Sequence, residues 1–170
     1  VTAELQARRR LGLTATLVRE DGKEDEVFCL IGPKRYDVPW KVLESAGFIA
    51  EARCVELRVP FDEEGQRAYA TAGARSQFRI ASENPRKTPV VVDLVAQHAG
   101  ERVLVIGQYL DQLRELSAAL DAPLLTGRTS NAKREERYGA FRAGEIEVLV
   151  LSKVGNFAVD LPDASVAIQV

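Results

Sequence analysis

Short apolar runs recur along the second half of the chain. They lie at residues 103–106, 123–125, 148–151 and 164–170. Apolar runs of this length, bounded by polar and turn-forming residues, are typical of strands that lie inside a sheet. The pattern therefore predicts four strands in this half of the chain, with the last of them buried.

The segments between these runs have the spacing of helices. Four leucines mark one face of a predicted helix: Leu110, Leu113, Leu116 and Leu120. Residues 130–143 predict a charged helix with Tyr138 and Phe141 facing inward and Gly144 at its C-terminal end. Because strands that alternate with helices are typical of a parallel sheet flanked by helices, the predicted fold class is α/β.

The first half of the chain is less regular. Residues 11–17 form a short apolar run with threonines, and residues 54–59 alternate between apolar and polar, so both predict strands. Residues 39–47 open with proline and close with glycine, which is the order expected of a short helix. Residues 62–82 are polar and rich in alanine, and they predict helix.

A further helix is predicted from residue 88. The three valines at 90–92 favour a strand by propensity, but an apolar face at helical spacing favours a helix. The members of that face are Val91, Leu94, Val95 and His98. His98 is the single histidine of the chain, and on such a face a partly buried structural role is more common than a catalytic one.

Composition limits the size and the location of the protein. The 170 residues are 46% hydrophobic and 28% charged, enough for one ordinary core or for one lobe with a fragment of another. We find no run of about 18 apolar residues and no signal-peptide pattern, so we expect a cytoplasmic protein. The chain contains no methionine, which we interpret as the mark of a piece of a longer protein.

The net charge and the two cysteines argue against further classes of protein. The formal net charge of -2 argues against a uniformly basic nucleic-acid coat, although basic residues can be confined to one groove. Cys29 and Cys54 are far apart and match no metal-ligand spacing, so neither a zinc site nor a disulfide framework is indicated. We expect both to be buried thiols.

The common signatures of a complete catalytic centre are absent from the sequence. There is no GxxxxGK[ST] phosphate loop, no GxGxxG after a strand, no HExxH and no GxSxG. Polar clusters follow the predicted strands instead, at residues 12–16 with 19–21, 107–108, 126–127, and 152–153 with Asp160 beyond. A single cluster of this kind is more often an ordinary turn, but the order of all four along the chain is informative.

That order resembles the XPB family of superfamily 2 DNA helicases over nearly the whole chain. Residues 11–16, LGLTAT, resemble helicase motif III, and residues 19–21 resemble the family's RED motif. Residues 30–41 resemble the passage between the two motor lobes of bacterial members. The remaining segments follow in order: 103–110 as motif IV, 125–144 as the segment between motifs IV and V, and 148–162 as motif V.

The resemblance implies a RecA-like parallel sheet flanked by helices, which is the C-terminal lobe of a helicase in incomplete form. Residues 1–50 would be the end of the first lobe with its linker, and residues 51–170 the second lobe, ending before motif VI. A helical segment at 62–86 would correspond to the thumb that grips DNA. Its basic and aromatic residues fit a DNA grip or a solvated helix face equally well: Arg67, Arg75, Arg79, Arg86, Lys87, Tyr69 and Phe78.

The implied function is that of an ATP-dependent DNA helicase or translocase in DNA repair, of 3′ to 5′ polarity, with ATP and Mg²⁺ as cofactors. Its partners would be DNA and a nuclease or other repair protein, with no membrane. The fragment lacks Walker A, Walker B and motif VI, so alone it is expected to be inactive. Two alternatives stay open: a non-catalytic α/β nucleic-acid-binding or assembly module, and a Rossmann-type nucleotide enzyme, which the missing glycine fingerprint disfavours.

The resemblance also assigns roles to particular residues. Coupling of nucleotide state to lobe closure is assigned to Thr14, Thr16, Arg19, Glu20 and Asp21. DNA contacts are assigned to Gln108, Thr126, Gly127, Arg134, Ser152 and Lys153. Asp160 is assigned to ATP, although Ala158-Val159 precedes it where related helicases usually carry Gly-Ile. No residue is assigned to a metal.

Overall fold

The structure, a computed structural model, describes residues 6–14, 24–152 and 164–170. The chain divides into two units by its internal contacts, Val1–Glu56 and Leu57–Val170. Within the described ranges, no helix is both long and apolar enough to cross a membrane.

The described part of the first unit contains two short helices. Helix α1 spans Glu24–Ile31, and helix α2 spans Trp40–Ser45 directly after Pro39. The chain leaves α2 through Gly47, whose φ of 74° is left-handed and therefore favours glycine. The predicted helix at 39–47 is confirmed, whereas α1 was not predicted.

Three predictions about the first unit and the segment after it are wrong. Residues 11–14 form no strand, and the rest of that predicted strand lies outside the described residues. Residues 54–59 also form no strand, and Val55 is 66% exposed there. Apolar alternation yields a strand only where a neighbouring strand completes the hydrogen bonds. Cys29 and Cys54 are both exposed, not buried, because the elements around them bury few side chains.

The second unit is built on a four-stranded parallel sheet. Its strands are β1 Val103–Gly107, β2 Leu124–Leu125, β3 Val148–Ser152 and β4 Val166–Gln169. Their order across the sheet is β2-β3-β1-β4, and every neighbouring pair is parallel. The predicted α/β fold with a parallel sheet is confirmed, as are the four strands.

Five helices accompany this sheet in the residues of the second unit that the structure describes. They are α3 Glu63–Thr71, α4 Ala74–Ser82, α5 Lys87–Gln97, α6 Leu110–Ala119 and α7 Asn131–Ala143. The choice of helix over strand at 90–92 is confirmed by α5. The helix predicted at 62–82 is two helices, because Ala72 and Gly73 are extended, with ψ of 149° and 158°.

Alternate residues of the strands bury themselves against helices on opposite faces of the sheet. On one face, Val103, Val105 and Val150 pack with Val91 of α5 and with Leu113 and Leu116 of α6. On the other face, Leu125, Leu149 and Leu151 pack with Tyr138 and Phe141 of α7. Strand β4 lies at the edge of the described sheet and only its alternate residues are partly buried, so the prediction that it is buried is wrong.

Helix α7 is capped at both ends by residues suited to the task. The Ser130 hydroxyl accepts a hydrogen bond from the Lys133 amide at 3.4 Å. Gly144 ends the helix with a left-handed φ of 78°, and the Glu145 amide donates to the Ala140 carbonyl at 2.9 Å. The cap sets the direction in which the chain turns towards β3.

Replacement of two glycines at this helix by alanine should change the stability of the fold in opposite directions. Gly144→Ala places a β-carbon in a left-handed conformation and should destabilise the fold by about 1–2 kcal/mol. Gly139→Ala lies inside the helix, where an added β-carbon meets nothing within 4 Å, and should stabilise by about 0.5–1 kcal/mol. Urea unfolding midpoints measure both, and effects of the same sign would contradict the capping geometry.

A polar clamp ties the start of β4 to the turn that follows α5. His98 Nδ1 lies 2.9 Å from Glu101 Oε1, and the Ser165 hydroxyl donates to Glu101 Oε2 at 2.9 Å. These two hydrogen bonds lower the pKa of Glu101 below its ordinary value of 4.5. The carboxylate form of Glu101 is therefore favoured in the folded protein.

Substitution of Glu101 should change stability in a pH-dependent way. A carboxyl whose pKa is lowered by folding stabilises the fold above its unfolded pKa, and this contribution is lost as pH falls through the folded pKa. Glu101→Gln should thus lower Tm by at most a few degrees at about pH 7, and this deficit should shrink as pH falls below the ordinary glutamate pKa of about 4.5. Glu136→Gln, at an exposed position of α7, is the matched control, and a deficit that persists in acid would exclude the clamp.

Candidate nucleic-acid interface

The carboxyl ends of three strands meet at one edge of the parallel sheet. Gly107 of β1 is in register with Ser152 of β3, and Leu125 of β2 is in register with Leu151. The residues that follow these strands therefore emerge side by side. Four predicted DNA-contact residues lie at this place, which we call the strand-end edge: Gln108, Thr126, Gly127 and Ser152.

Ser152 is the buried member of the strand-end edge. Its side chain is 5% exposed, and among the described residues its hydroxyl has no hydrogen-bond partner. Its register partner Gly107 has no room for a side chain, since a β-carbon there would meet Leu113 Cδ2 at 2.8 Å. Helix α6 thus packs closely at the end of β1, on the face of the sheet shared by Gly107 and Ser152.

The turn between β2 and α7 is held in one shape by its own hydrogen bonds. The Thr126 amide donates to Thr129 Oγ1 at 3.0 Å, and the Arg128 amide donates to Thr126 Oγ1 at 3.2 Å. Arg134, one turn into α7, donates from Nη2 to the carbonyls of Thr126 at 3.2 Å and Thr129 at 3.4 Å. Gly127, at the exposed part of this turn, leaves its backbone open to a ligand.

Arg134 therefore positions the turn whether or not it touches DNA. Its side chain is half-buried and already donates hydrogen bonds to the carbonyls of Thr126 and Thr129. The DNA contact assigned to Arg134 stays a prediction.

A groove of about 600 Å³ adjoins the strand-end edge at Gln108. Helix α4 forms one wall and the turn from β1 to α6 forms the other. We call it the α4 groove, and its lining residues are Arg75, Ser76, Phe78, Arg79, Gln108 and Tyr109. Sequence reasoning missed Tyr109, although an aromatic residue directly after Gln108 was a usable signal.

Aromatic and charged side chains pack together in the α4 groove. The rings of Phe78 and Tyr109 have centroids 6.2 Å apart with planes inclined at 51°. The Arg79 guanidinium lies 5.6 Å from the centre of the Tyr109 ring. Arg79 also forms ion pairs with Glu83 at 2.6 Å and Asp111 at 3.7 Å. The hydrogen bond to Glu83 raises the pKa of Arg79, so this cation stays charged.

The other basic and aromatic residues of 62–87 serve local contacts. Arg67 pairs with Glu63 at 3.0 Å, and Arg86 Nη1 donates to the Phe61 carbonyl at 3.3 Å. Burial lowers the pKa of Lys87. Tyr69 packs on Phe61, with ring centroids 5.5 Å apart. Only Arg75, Phe78 and Arg79 of the predicted set line the α4 groove.

The remaining assigned residues lie in the first unit or outside the described ranges. Thr14 is exposed and belongs to the first unit. Six assigned residues lie outside the described ranges: Thr16, Arg19, Glu20, Asp21, Lys153 and Asp160. Among the side chains that the structure describes, no group of three or more His, Cys, Asp or Glu could hold a metal ion.

Comparison with known proteins identifies the family. The sequence profile of the ERCC3/RAD25/XPB C-terminal helicase family matches residues 43–170. The chain belongs to this XPB helicase family. A DNA 3′-5′ helicase XPB of Kineococcus radiotolerans is 60% identical over all 170 residues, which cover 30% of that protein. Its namesake in Mycobacterium tuberculosis is 55% identical over the whole chain and 31% of that protein.

More distant members of the XPB family match the chain as well. The XPB/SSL2 helicase/translocase subunit of general transcription and DNA repair factor IIH in Saccharomyces cerevisiae is 34% identical over 173 residues, 20% of its length. The chain thus spans about a third or less of the relatives it matches. Its four-stranded parallel sheet with flanking helices agrees with a RecA-like helicase C-terminal lobe, which confirms the predicted fold class.

Removal of the Arg134 guanidinium should loosen the strand-end edge without unfolding the sheet. Arg134→Ala deletes two hydrogen bonds to the turn, worth about 1–2 kcal/mol in local opening, so amides of residues 126–130 should exchange roughly 5–30-fold faster. Lys133→Ala, at the exposed neighbouring position, is the control. Hydrogen exchange read by mass spectrometry tests this, and equal exchange in both variants would show that Arg134 does not hold the turn.

Proposed function

We propose that this chain is part of an ATP-dependent DNA helicase or translocase of 3′ to 5′ polarity that acts in DNA repair. Membership of the XPB family supports the proposal, as do the names of the bacterial relatives, DNA 3′-5′ helicase XPB. In this proposal residues 1–50 end the first motor lobe, residues 51–170 form the second, and residues 62–86 act as a thumb.

The observation that carries the proposal is the convergence of the strand ends. Gln108, Thr126 with Gly127, and Ser152 occupy one edge because the parallel register aligns β1, β2 and β3 there. Hydroxyls, carboxamides and backbone amides bind phosphate oxygens without reading bases. A motor that moves along any sequence needs contacts of this kind, and the strand-end edge supplies them from rigid strands.

The state of the Ser152 hydroxyl adds a second argument. Within the described residues the buried Ser152 hydroxyl has no partner, and a buried hydroxyl left unpaired costs about 1–3 kcal/mol. We propose that a phosphate oxygen of the bound strand becomes its partner after a rotamer change of this side chain, which is 5% exposed in the structure. The thumb and Lys153 would add charge beside it.

ATP and Mg²⁺ enter the proposal through family membership. Asp160 is the residue of this chain proposed to contact ATP, and Thr14, Thr16 and residues 19–21 are proposed to couple its hydrolysis to DNA movement. The phosphate loop and the metal-binding carboxylates are expected in the part of the protein upstream of this chain. The chain alone is therefore expected not to hydrolyse ATP.

A repair assembly is proposed as the setting for this motor. The name of the yeast relative describes it as a subunit of a general transcription and DNA repair factor. A nuclease or another repair protein is the corresponding partner that we propose here.

Substitution of Ser152 by alanine distinguishes a DNA contact from a structural role for this residue. In the full-length protein, Ser152→Ala should lower DNA affinity and DNA-stimulated ATP hydrolysis about 5–20-fold, since a hydrogen bond to a charged phosphate is lost. Tm should stay the same or rise, because the hydroxyl has no partner in the described part of the fold. Fluorescence anisotropy, ATPase assays and thermal unfolding give the three values.

Ser117 supplies the matched control. Its hydroxyl donates to the Ala122 carbonyl at 2.6 Å, so Ser117→Ala should lose about 1 kcal/mol of stability and keep DNA affinity. The proposal fails if the unmodified full-length protein shows no DNA-stimulated ATPase, which would favour a non-catalytic assembly module. It also fails if Ser152→Ala loses stability but not DNA affinity.

A further inference from the structure

We propose that the α4 groove binds one unstacked base of a DNA strand, with Phe78 as the stacking surface and Arg75 as the contact for the adjoining phosphate. This inference rests on the proposed DNA-binding function and adds a base contact to it. The strand-end edge needs only phosphates, so a base site in the groove is a separate element of recognition.

The aromatic side chains are presented as a stacking site requires. Phe78 is 56% exposed, although a phenylalanine ring on a helix would normally be turned towards the core. Tyr109 stands beside it and is fixed by Arg79, which lies 5.6 Å from its ring centre. Each base has a π-face, so stacking on an exposed ring tolerates any sequence.

The charge of the groove favours a polyanion. The two carboxylates near it are already engaged: Glu83 with Arg79 at 2.6 Å, and Asp111 with Arg114 at 2.6 Å. Arg75 lines the groove, and within the described residues its guanidinium has no ion-pair partner. A phosphate next to the stacked base would supply the missing counter-charge.

Polar contacts hold α4 in place beside the turn from β1 to α6. Gln112 of α6 is 5% exposed, and its Nε2 donates to the carbonyl of Ser82 at the end of α4. An exposed hydrogen bond from Gln77 Nε2 to the Tyr69 carbonyl, 3.1 Å long, ties α4 to α3. Because α4 is positioned before a ligand arrives, little ordering is needed on binding.

The groove is continuous with the proposed path of the DNA. Gln108 belongs both to the strand-end edge and to the lining of the groove, and Tyr109 follows it directly. The Gln108 carboxamide has two donors and an acceptor, so it can meet the polar edge of any base. A strand bound at the edge would therefore reach the groove within a nucleotide or two.

The test compares normal and abasic single-stranded oligonucleotides of equal length in the full-length protein. Phe78→Ala should weaken binding of the normal oligonucleotide about tenfold and leave binding of the abasic one unchanged. Phe78→Trp should restore the loss. Arg75→Ala should weaken both, and the slope of log affinity against log salt should shrink by about 0.7.

Matched controls lie outside both the groove and the proposed thumb. Phe48→Ala removes an exposed aromatic residue and Arg53→Ala removes an exposed cation, so neither should change affinity. If Phe78→Ala binds both oligonucleotides like the unmodified protein, the base site is wrong, even where Arg75→Ala weakens binding. If the unmodified protein binds neither oligonucleotide, the proposed DNA-binding function itself fails.

Discussion

Parallel pairing of β1, β2 and β3 is the constraint on which the rest of the molecule depends. Parallel strands in register place all their carboxyl ends at one edge, and here the register aligns Gly107 with Ser152 and Leu125 with Leu151. Ligands of open α/β sheets bind outside the carboxyl ends of their strands for this reason. The hydrophobic residues on both faces keep the strands in this register, since a shift by one residue would move each buried side chain to the opposite face.

The helices hold in place the polar residues that the strand ends bring together. Arg134 reaches back from α7 to the turn after β2, and Gln112 ties α6 to the end of α4. Such bonds use buried or half-buried polar groups, which cost free energy unless they are paired. These pairings hold the donors of the strand-end edge and α4 beside the α4 groove in place, as the proposed DNA contacts require.

The sequence predicted the parts of the molecule that depend on local periodicity. The strands of the sheet and helices α5 to α7 follow from the spacing of their apolar residues, and the position of the strand-end edge follows from the order of the strands. Residues 54–59 have the alternation of a strand but no neighbouring strand among the residues that the structure describes, and a single segment cannot reveal this. The α4 groove was also hidden, because Phe78 meets Tyr109 only through the packing of α4 against the turn after β1. Residues 19–21, which resemble the RED motif, and Asp160 lie outside the described residues, so their assigned roles rest on the resemblance.

A structure of the full-length protein bound to DNA and a non-hydrolysable ATP analogue tests the central claim most directly. In such a structure, we expect consecutive phosphates of one strand within hydrogen-bonding distance of Gln108, the turn at Thr126 and Gly127, and the Ser152 hydroxyl. The claim is contradicted if the carboxyl ends of β1, β2 and β3 face another part of the protein while DNA passes elsewhere.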